Sequence, residues 1–284
     1  MTPNLPIVDA HVHLWDPQRL RMPWLDGNPL LNRRYDLGDF TRASAGLDVQ
    51  GLVYIQTDVA ESYALLEAQW VAELARQDAC IRAIVPFAPL EYGDRVRAFL
   101  DALVSISPLI KGVRRIYQGA PVDFCLQPDF VRGVQLLPDY GLSCDLCIRH
   151  HQLENTVTLV QQCPATQFIL DHIAKPDIAA QLLDPWRQHM RQLAAFPNVY
   201  CKISGVLTEA DHQRWTVEDA KPFILHALEV FGVDRVAFGG DWPVVLEAAA
   251  YRRWIDTLDV LTAALPLDSR QKLWAENAIR FYRL

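Results

Sequence analysis

Eight short apolar segments recur along the chain, nearly all followed by a stretch with apolar residues at helical spacing, and this alternation limits the fold more than any other feature. The strand-like segments are residues 7–13, 51–56, 81–87, 110–116, 142–148, 167–172, 199–204 and 235–241. Helical spacing follows in 61–76, 95–104, 130–140 (ended by Gly141), 153–163, 186–196, 217–231 and 251–265, and residues 269–284 read as one additional closing helix. Short Val/Ile/Leu-rich strands joined by helical crossovers are buried on both faces, which is the pattern of a parallel sheet. Eight such units predict an α/β fold, a (β/α)8 TIM barrel with an additional C-terminal helix, forming a single domain over 1–284. A doubly wound open sheet is the alternative, but no G-x-G-x-x-G follows the first strand and no phosphate-binding loop appears. Residues 14–40 show no sustained period and read as a long loop, more often functional than idle.

Composition narrows the function. The 284 residues carry a net charge of −7, which argues against nucleic acid or an anionic membrane surface as partner. No apolar run approaches membrane-spanning length and no basic, then apolar, leader opens the sequence, so the expectation is a cytoplasmic protein. Cys80, Cys125, Cys144, Cys147, Cys163 and Cys201 are scattered, mostly in apolar strand-like surroundings. They read as free thiols used in packing, since no second C-x-x-C accompanies Cys144–Cys147.

A barrel gathers the polar residues at the C-terminal ends of its strands into one mouth. Here those are His11 and His13, Gln56, Arg114 or Arg115, His150 or His151, His172 and Lys175, Lys202 and Ser204, and Asp241 and Trp242. Alternate residues of a strand share a face, so His11 and His13 offer two imidazoles to one point, where a metal ion would need them. Taken singly, each of these is more readily a rim charge or a satisfied core histidine. Their recurrence at the same end of successive strands points instead to a catalytic ring. Arg114 is preferred over Arg115 because it shares a face with Gly112, the small residue expected to point inward.

The stretches 8–15 (VDAHVHLW), 111–115 (KGVRR), 171–176 (DHIAKP), 202–205 (KISG), 238–243 (FGGDWP) and 276–282 (ENAIRFY) together resemble the amidohydrolase superfamily over the full length. Within it, they are most similar to the sugar-lactonase branch of L-fuconolactonases, L-rhamnonolactonases and 2-pyrone-4,6-dicarboxylate lactonases. The D-H-x-x-K-P stretch separates this branch from decarboxylase relatives. The resemblance implies His11, His13 and Asp241 as metal positions with His172 near the substrate. It implies at most one divalent ion, zinc before others, or a metal-independent enzyme, since no lysine ends the fourth or fifth strand to bridge two ions.

The expected reaction is the opening of a sugar lactone such as L-fuconolactone. Asp241 is the general base on water, and His172 and Lys175 are the remaining catalytic groups, supplying positive charge to the oxyanion. Arg114, Trp24, Gln56, Lys202 and Trp242 are the expected substrate contacts. A dicarboxylate pyrone would call for several arginines at the mouth, where this chain has few cations. The rival readings are a metal-dependent decarboxylase and a barrel that binds a sugar without turning it over. A homo-oligomer is compatible with either.

Overall fold

The computed structural model describes residues 5–284. Strands and helices alternate through β1 (Ile7–Val12), α1 (Leu37–Ala43), β2 (Val49–Ile55), α2 (Ala64–Gln77), β3 (Ile81–Val85), α3 (Arg97–Ile106), β4 (Gly112–Arg114) and α4 (Pro128–Leu136). They continue through β5 (Ser143–Leu146), α5 (Leu153–Gln162), β6 (Phe168–Leu170), α6 (Trp186–Ala194), β7 (Val199–Ile203), α7 (Val217–Phe231), β8 (Val236–Phe238) and α8 (Tyr251–Thr262). The strands pair in parallel as β1-β2-β3 and β4-β5-β6-β7-β8. Two seams join these sheets into a ring. At one, the Ile84 and Lys111 amides donate to Leu109 O and Ile84 O at 2.8 and 3.1 Å; at the other, the Asp241 amide donates to His11 O at 2.8 Å and the His13 amide to Trp242 O at 2.7 Å. Among the described residues, closure pairs both edges of each sheet. The expected eight-stranded barrel is what forms.

The barrel has two apolar compartments. Large side chains fill the layer between strands and helices, whereas the lumen holds small or branched residues: Val8, Ala10, Val53, Ile55, Ala83, Val85, Ile169 and Ala237. The same luminal cluster takes in Ala275, Ala278, Phe281 and Tyr282, so the C-terminal segment plugs the barrel. That segment is α9 (Leu267–Gln271), a π turn (Lys272–Glu276) and α10 (Asn277–Tyr282) in succession, where one helix was expected. Strand pairing also stops short of the expected ends. After Phe238, for example, a Cβ on Gly240 would lie 2.4 Å from Asp9 Oδ2, so the backbone there presses against the first strand instead of continuing the ladder.

Residues 14–40 depart from the loop reading at their end, because α1 begins at Leu37. Asp36 caps it: its carboxylate accepts from the Asp39 amide at 2.9 Å while Asp39 accepts from the Asp36 amide at 3.2 Å. This is a capping box with aspartate in the position usually given to glutamate, which hides the helix start. The preceding loop is pinned to the barrel, with Trp15 and Tyr35 exchanging backbone hydrogen bonds at 3.0 and 2.9 Å. Among the described residues, no helix is long and apolar enough to cross a membrane, and all six cysteines are free.

A ladder of buried charge climbs through the lumen. The Tyr282 hydroxyl donates to Asp145 Oδ2 at 2.7 Å, the same oxygen lies 2.6 Å from Lys202 Nζ, and Lys202 Nζ lies 2.9 Å from Asp171 Oδ1. Burial pushes the Asp145 carboxyl up, so each donor it keeps matters. Tyr282→Phe is therefore expected to destabilise the fold by ~1–2 kcal/mol, the usual cost of leaving a buried acceptor short of one hydrogen bond. Urea denaturation monitored by fluorescence measures it.

Candidate active site at the barrel mouth

The site begins where the first strand meets the last. An irregularity in strand register between Asp9 and Val12 spans His11 and comes just before His13, and the β1–β8 seam brings Asp241 beside them. His11 Nε2 and His13 Nε2 lie 3.2 Å apart, and Asp241 Oδ1 lies 3.7 and 3.4 Å from them respectively. His172 leans in from β6, its Nδ1 3.9 Å from Asp241 Oδ2, and His11, His172 and Asp241 offer a second, overlapping set of donor atoms within 4.8 Å of one another. All four side chains are nearly inaccessible, at 0, 4, 3 and 4% exposure for His11, His13, His172 and Asp241.

Each imidazole is oriented from behind. His13 Nδ1 lies 2.8 Å from Ile55 O, an acceptor only, so Nδ1 carries the hydrogen and Nε2 presents its lone pair to the mouth. His11 Nδ1 faces Asp171 Oδ1 at 3.4 Å, which favours the same tautomer. His172 Nδ1 pairs with Ser204 Oγ at 2.9 Å. Three donor atoms held 2.0–2.2 Å from one ion stand roughly 3.3–3.7 Å apart, so the triangle of His11, His13 and Asp241 suits a single divalent cation. The backing carbonyl and carboxylate are what such ligands normally have. Two contacts compete at His11: Arg114 Nη1 approaches Nε2 at 3.2 Å and Lys202 Nζ approaches Nδ1 at 3.3 Å.

Burial lowers the pKa of all three histidines, His172 to about 4 with Asp241 opposing the shift. Burial would raise Asp241, but His172, His13 and His11 outweigh it and hold the carboxyl below the usual carboxylate range. Asp171 behaves alike, with Lys202 and His11 overcoming desolvation. Arg114 donates to Asp171 Oδ2 at 3.1 Å and to the Gln56 carbonyl, so Asp171 is clamped by two cations and orients His11 in turn.

The chain between His172 and Lys175 turns the wrong way for L-residues. His172, Ile173, Ala174 and Lys175 have φ of 53, 47, 62 and 48°, four successive left-handed residues without a glycine. Such backbone is costly and persists only where its surroundings dictate it. Ile173 and Ala174 are fully buried, and the Trp186 indole donates to Ile173 O at 2.8 Å. Left-handed winding sends both His172 and Lys175 into one cavity of about 160 Å³, lined also by His13, Trp24, Asp58, Arg114, Cys147 and Asp241.

Comparison with known proteins identifies the family. A family model described as Amidohydrolase matches residues 8–284. This chain belongs to the amidohydrolase family. It is 31% identical over 300 residues to an L-fucono-1,5-lactonase of Burkholderia multivorans, covering 98% of this chain and 96% of that protein. It is 25% identical to an L-rhamnono-gamma-lactonase of Scheffersomyces stipitis, with 98% of each covered. A solved amidohydrolase from Burkholderia multivorans with bound zinc superposes with a TM-score of 0.88 at 28% identity, covering 98% of this chain and 99% of that one.

In this amidohydrolase the expected residues divide by position. His11, His13, His172, Asp241, Lys175, Arg114 and Trp24 come together at the mouth; Trp24 is anchored by its indole to Thr57 O at 2.8 Å. Three expected substrate contacts lie elsewhere. Lys202 is fully buried below the histidines, Gln56 is fully buried with its side-chain carbonyl turned to the Asp58 amide, and Trp242 packs edge-on against Tyr35 and Phe40. Lys202 lies near the end of β7, and Gln56 and Trp242 just past β2 and β8, but all three turn away from the opening, which alternation alone cannot decide once strands bulge or stop early. Arg115 pairs with Glu91 at 2.6 Å, and neither His150 nor His151 lines the cavity. Cys147, expected in packing, is buried but forms part of the wall. Asp58 carries no motif that would have singled it out, whereas Asp171 opens the D-H-x-x-K-P stretch and Ser204 stands at a strand end in the 202–205 stretch without its pairing to His172 being foreseen.

Gly205 supplies the test of this packing. Its φ is +56°, and a Cβ there would lie 2.5 Å from His172 Nδ1 and 2.8 Å from Asp241 Oδ2. Gly205→Ala is expected to displace both side chains and lower hydrolytic turnover ~10²-fold, the scale of a 1 Å misplacement. Circular dichroism of the variant should remain that of the wild type.

Proposed function

We propose that this amidohydrolase opens the ring of a neutral sugar lactone to its hydroxy acid, with Asp241 as general base. The observation that carries the reading is the Asp241 carboxylate held 3.4–3.9 Å from three imidazoles, in a cavity that also receives Lys175. The lactonase names of the full-length relatives support the substrate class.

Ring opening needs a water deprotonated, an acyl oxygen polarised and an alkoxide protonated. Asp241 is ionised throughout the neutral range, so it accepts a hydrogen bond from water without first losing a proton itself. The proton it takes is weakly held, and it passes readily to the departing ring oxygen. Lys175 brings an ammonium group to the same cavity, where it stabilises the charge that builds on the acyl oxygen. His11, His13 and Asp241 would hold the zinc ion, which when bound supplies Lewis acidity to that site. Arg114 contributes fixed positive potential beneath it, its hydrogen bonds already committed to Asp171 and the Gln56 carbonyl.

The decisive experiment is a panel of neutral aldonolactones followed by acid release with a pH indicator, before and after dialysis against chelator. Asp241→Asn is expected to lower kcat by ~10³-fold or more with KM little changed, as for loss of an essential proton acceptor. Retention of near-normal turnover would remove Asp241 as the base. Elemental analysis is expected to give about one zinc per chain, falling ~10-fold in His13→Ala, since deleting one of three ligands removes a major share of the affinity.

A further inference from the structure

One charged group at the mouth has no partner. Asp58 lines the cavity and is solvent-exposed, yet among the described residues no cation pairs with its carboxylate and no donor reaches it. The other charges there are accounted for differently. Arg114 is spent on Asp171, and Asp241 is enclosed by histidines, which leaves Asp58 and Lys175 as the open charges of the wall.

The backbone that presents Asp58 is strained and held from several sides. Its φ is +55°, an uncommon conformation for any residue but glycine, asparagine and aspartate. The buried Gln56 side chain accepts from the Asp58 amide. On the neighbouring residue, the fully buried Glu67 accepts from the Thr57 amide at 2.6 Å and its hydroxyl at 2.8 Å, while Trp24 donates to the Thr57 carbonyl. Three side chains, those of Gln56, Glu67 and Trp24, therefore fix a three-residue segment whose one open group faces the cavity. Strain kept in this way at a site wall marks a functional placement. It also gives Gln56 a task, that of positioning Asp58.

We propose that Asp58 is the specificity determinant of the site, accepting hydrogen bonds from hydroxyls of the lactone ring and turning away lactones that carry a carboxylate at that end. This rests on the sugar-lactone reading above. An ionised carboxylate has acceptors only, so a vicinal diol satisfies it, whereas a second anion brought against it is repelled in a partly enclosed cavity. Lys175 alone would have to offset both an incoming carboxylate and Asp58. The site thus chooses its substrate by charge as well as by shape.

The test compares the neutral aldonolactone that the wild-type enzyme opens fastest with the matching aldarolactone, which differs by a terminal carboxylate. Asp58→Asn and Asp58→Gly both tolerate positive φ, so either should fold. In each, KM for the aldonolactone is expected to rise ~10-fold with kcat within ~3-fold, the scale of one charge-assisted hydrogen bond to a substrate. Relief of repulsion should raise kcat/KM for the aldarolactone ~10-fold, moving the preference ~100-fold in all. If both variants keep KM and the neutral-to-anionic ratio within ~2-fold of wild type, on the same scale, Asp58 is not the determinant although the sugar-lactone reading stands. If the wild-type enzyme opens aldarolactones and no aldonolactone, the reading itself fails and this inference with it.

Discussion

Two carboxylates and two cations, Asp145 and Asp171 against Lys202 and Arg114, are buried together under the mouth, and the arrangement above them depends on that balance. Charges taken from water into such a place cost several kcal/mol each unless they are paired and hydrogen-bonded. The group can therefore not lose one member without leaving another uncompensated. Its geometry reaches upward: Asp171 faces His11, and Arg114 lies within 3.2 Å of the same ring. It also reaches downward, through Asp145 to Tyr282 on the C-terminal helix. The helix that plugs the barrel thereby helps orient an imidazole at the opposite end of the lumen.

Upon that base, the chain spends conformational strain to aim its reactive groups. The left-handed turn from His172 to Lys175 projects two polar side chains into one cavity, and Gly205 makes room for His172 and Asp241 by having no side chain. Asp241 itself has φ of +52° and Asp58 of +55°. Backbone of this kind around one cavity is what a preorganised site requires, because groups fixed in place by packing do not have to be reordered during the reaction.

The architecture was readable because alternation of strand and helix is dictated by burial on both faces of a parallel sheet, a signal repeated eight times. The histidine pair, His172, Asp241 and Arg114 were readable because strand ends in a barrel converge. What escaped were side chains whose direction depends on local breaks in the strand. Lys202 and Trp242 sit at strand ends like the others, but Lys202 turns into the buried charge cluster and Trp242 into an aromatic layer. Cys147 and Asp58 escaped for other reasons: each lies just past a strand and lines the wall, but Cys147 sits in a lone C-x-x-C that reads as packing and Asp58 belongs to no pattern. The helix at Leu37 was hidden by a cap built from two aspartates.

The seam between the first and last strands has a consequence for how the molecule comes into being. His11 and His13 leave the ribosome early, while Asp241 is made more than two hundred residues later, and the hydrogen bonds that join them are the ones that shut the ring. The chemistry proposed for Asp241 thus waits until β8 has been made and has docked against β1.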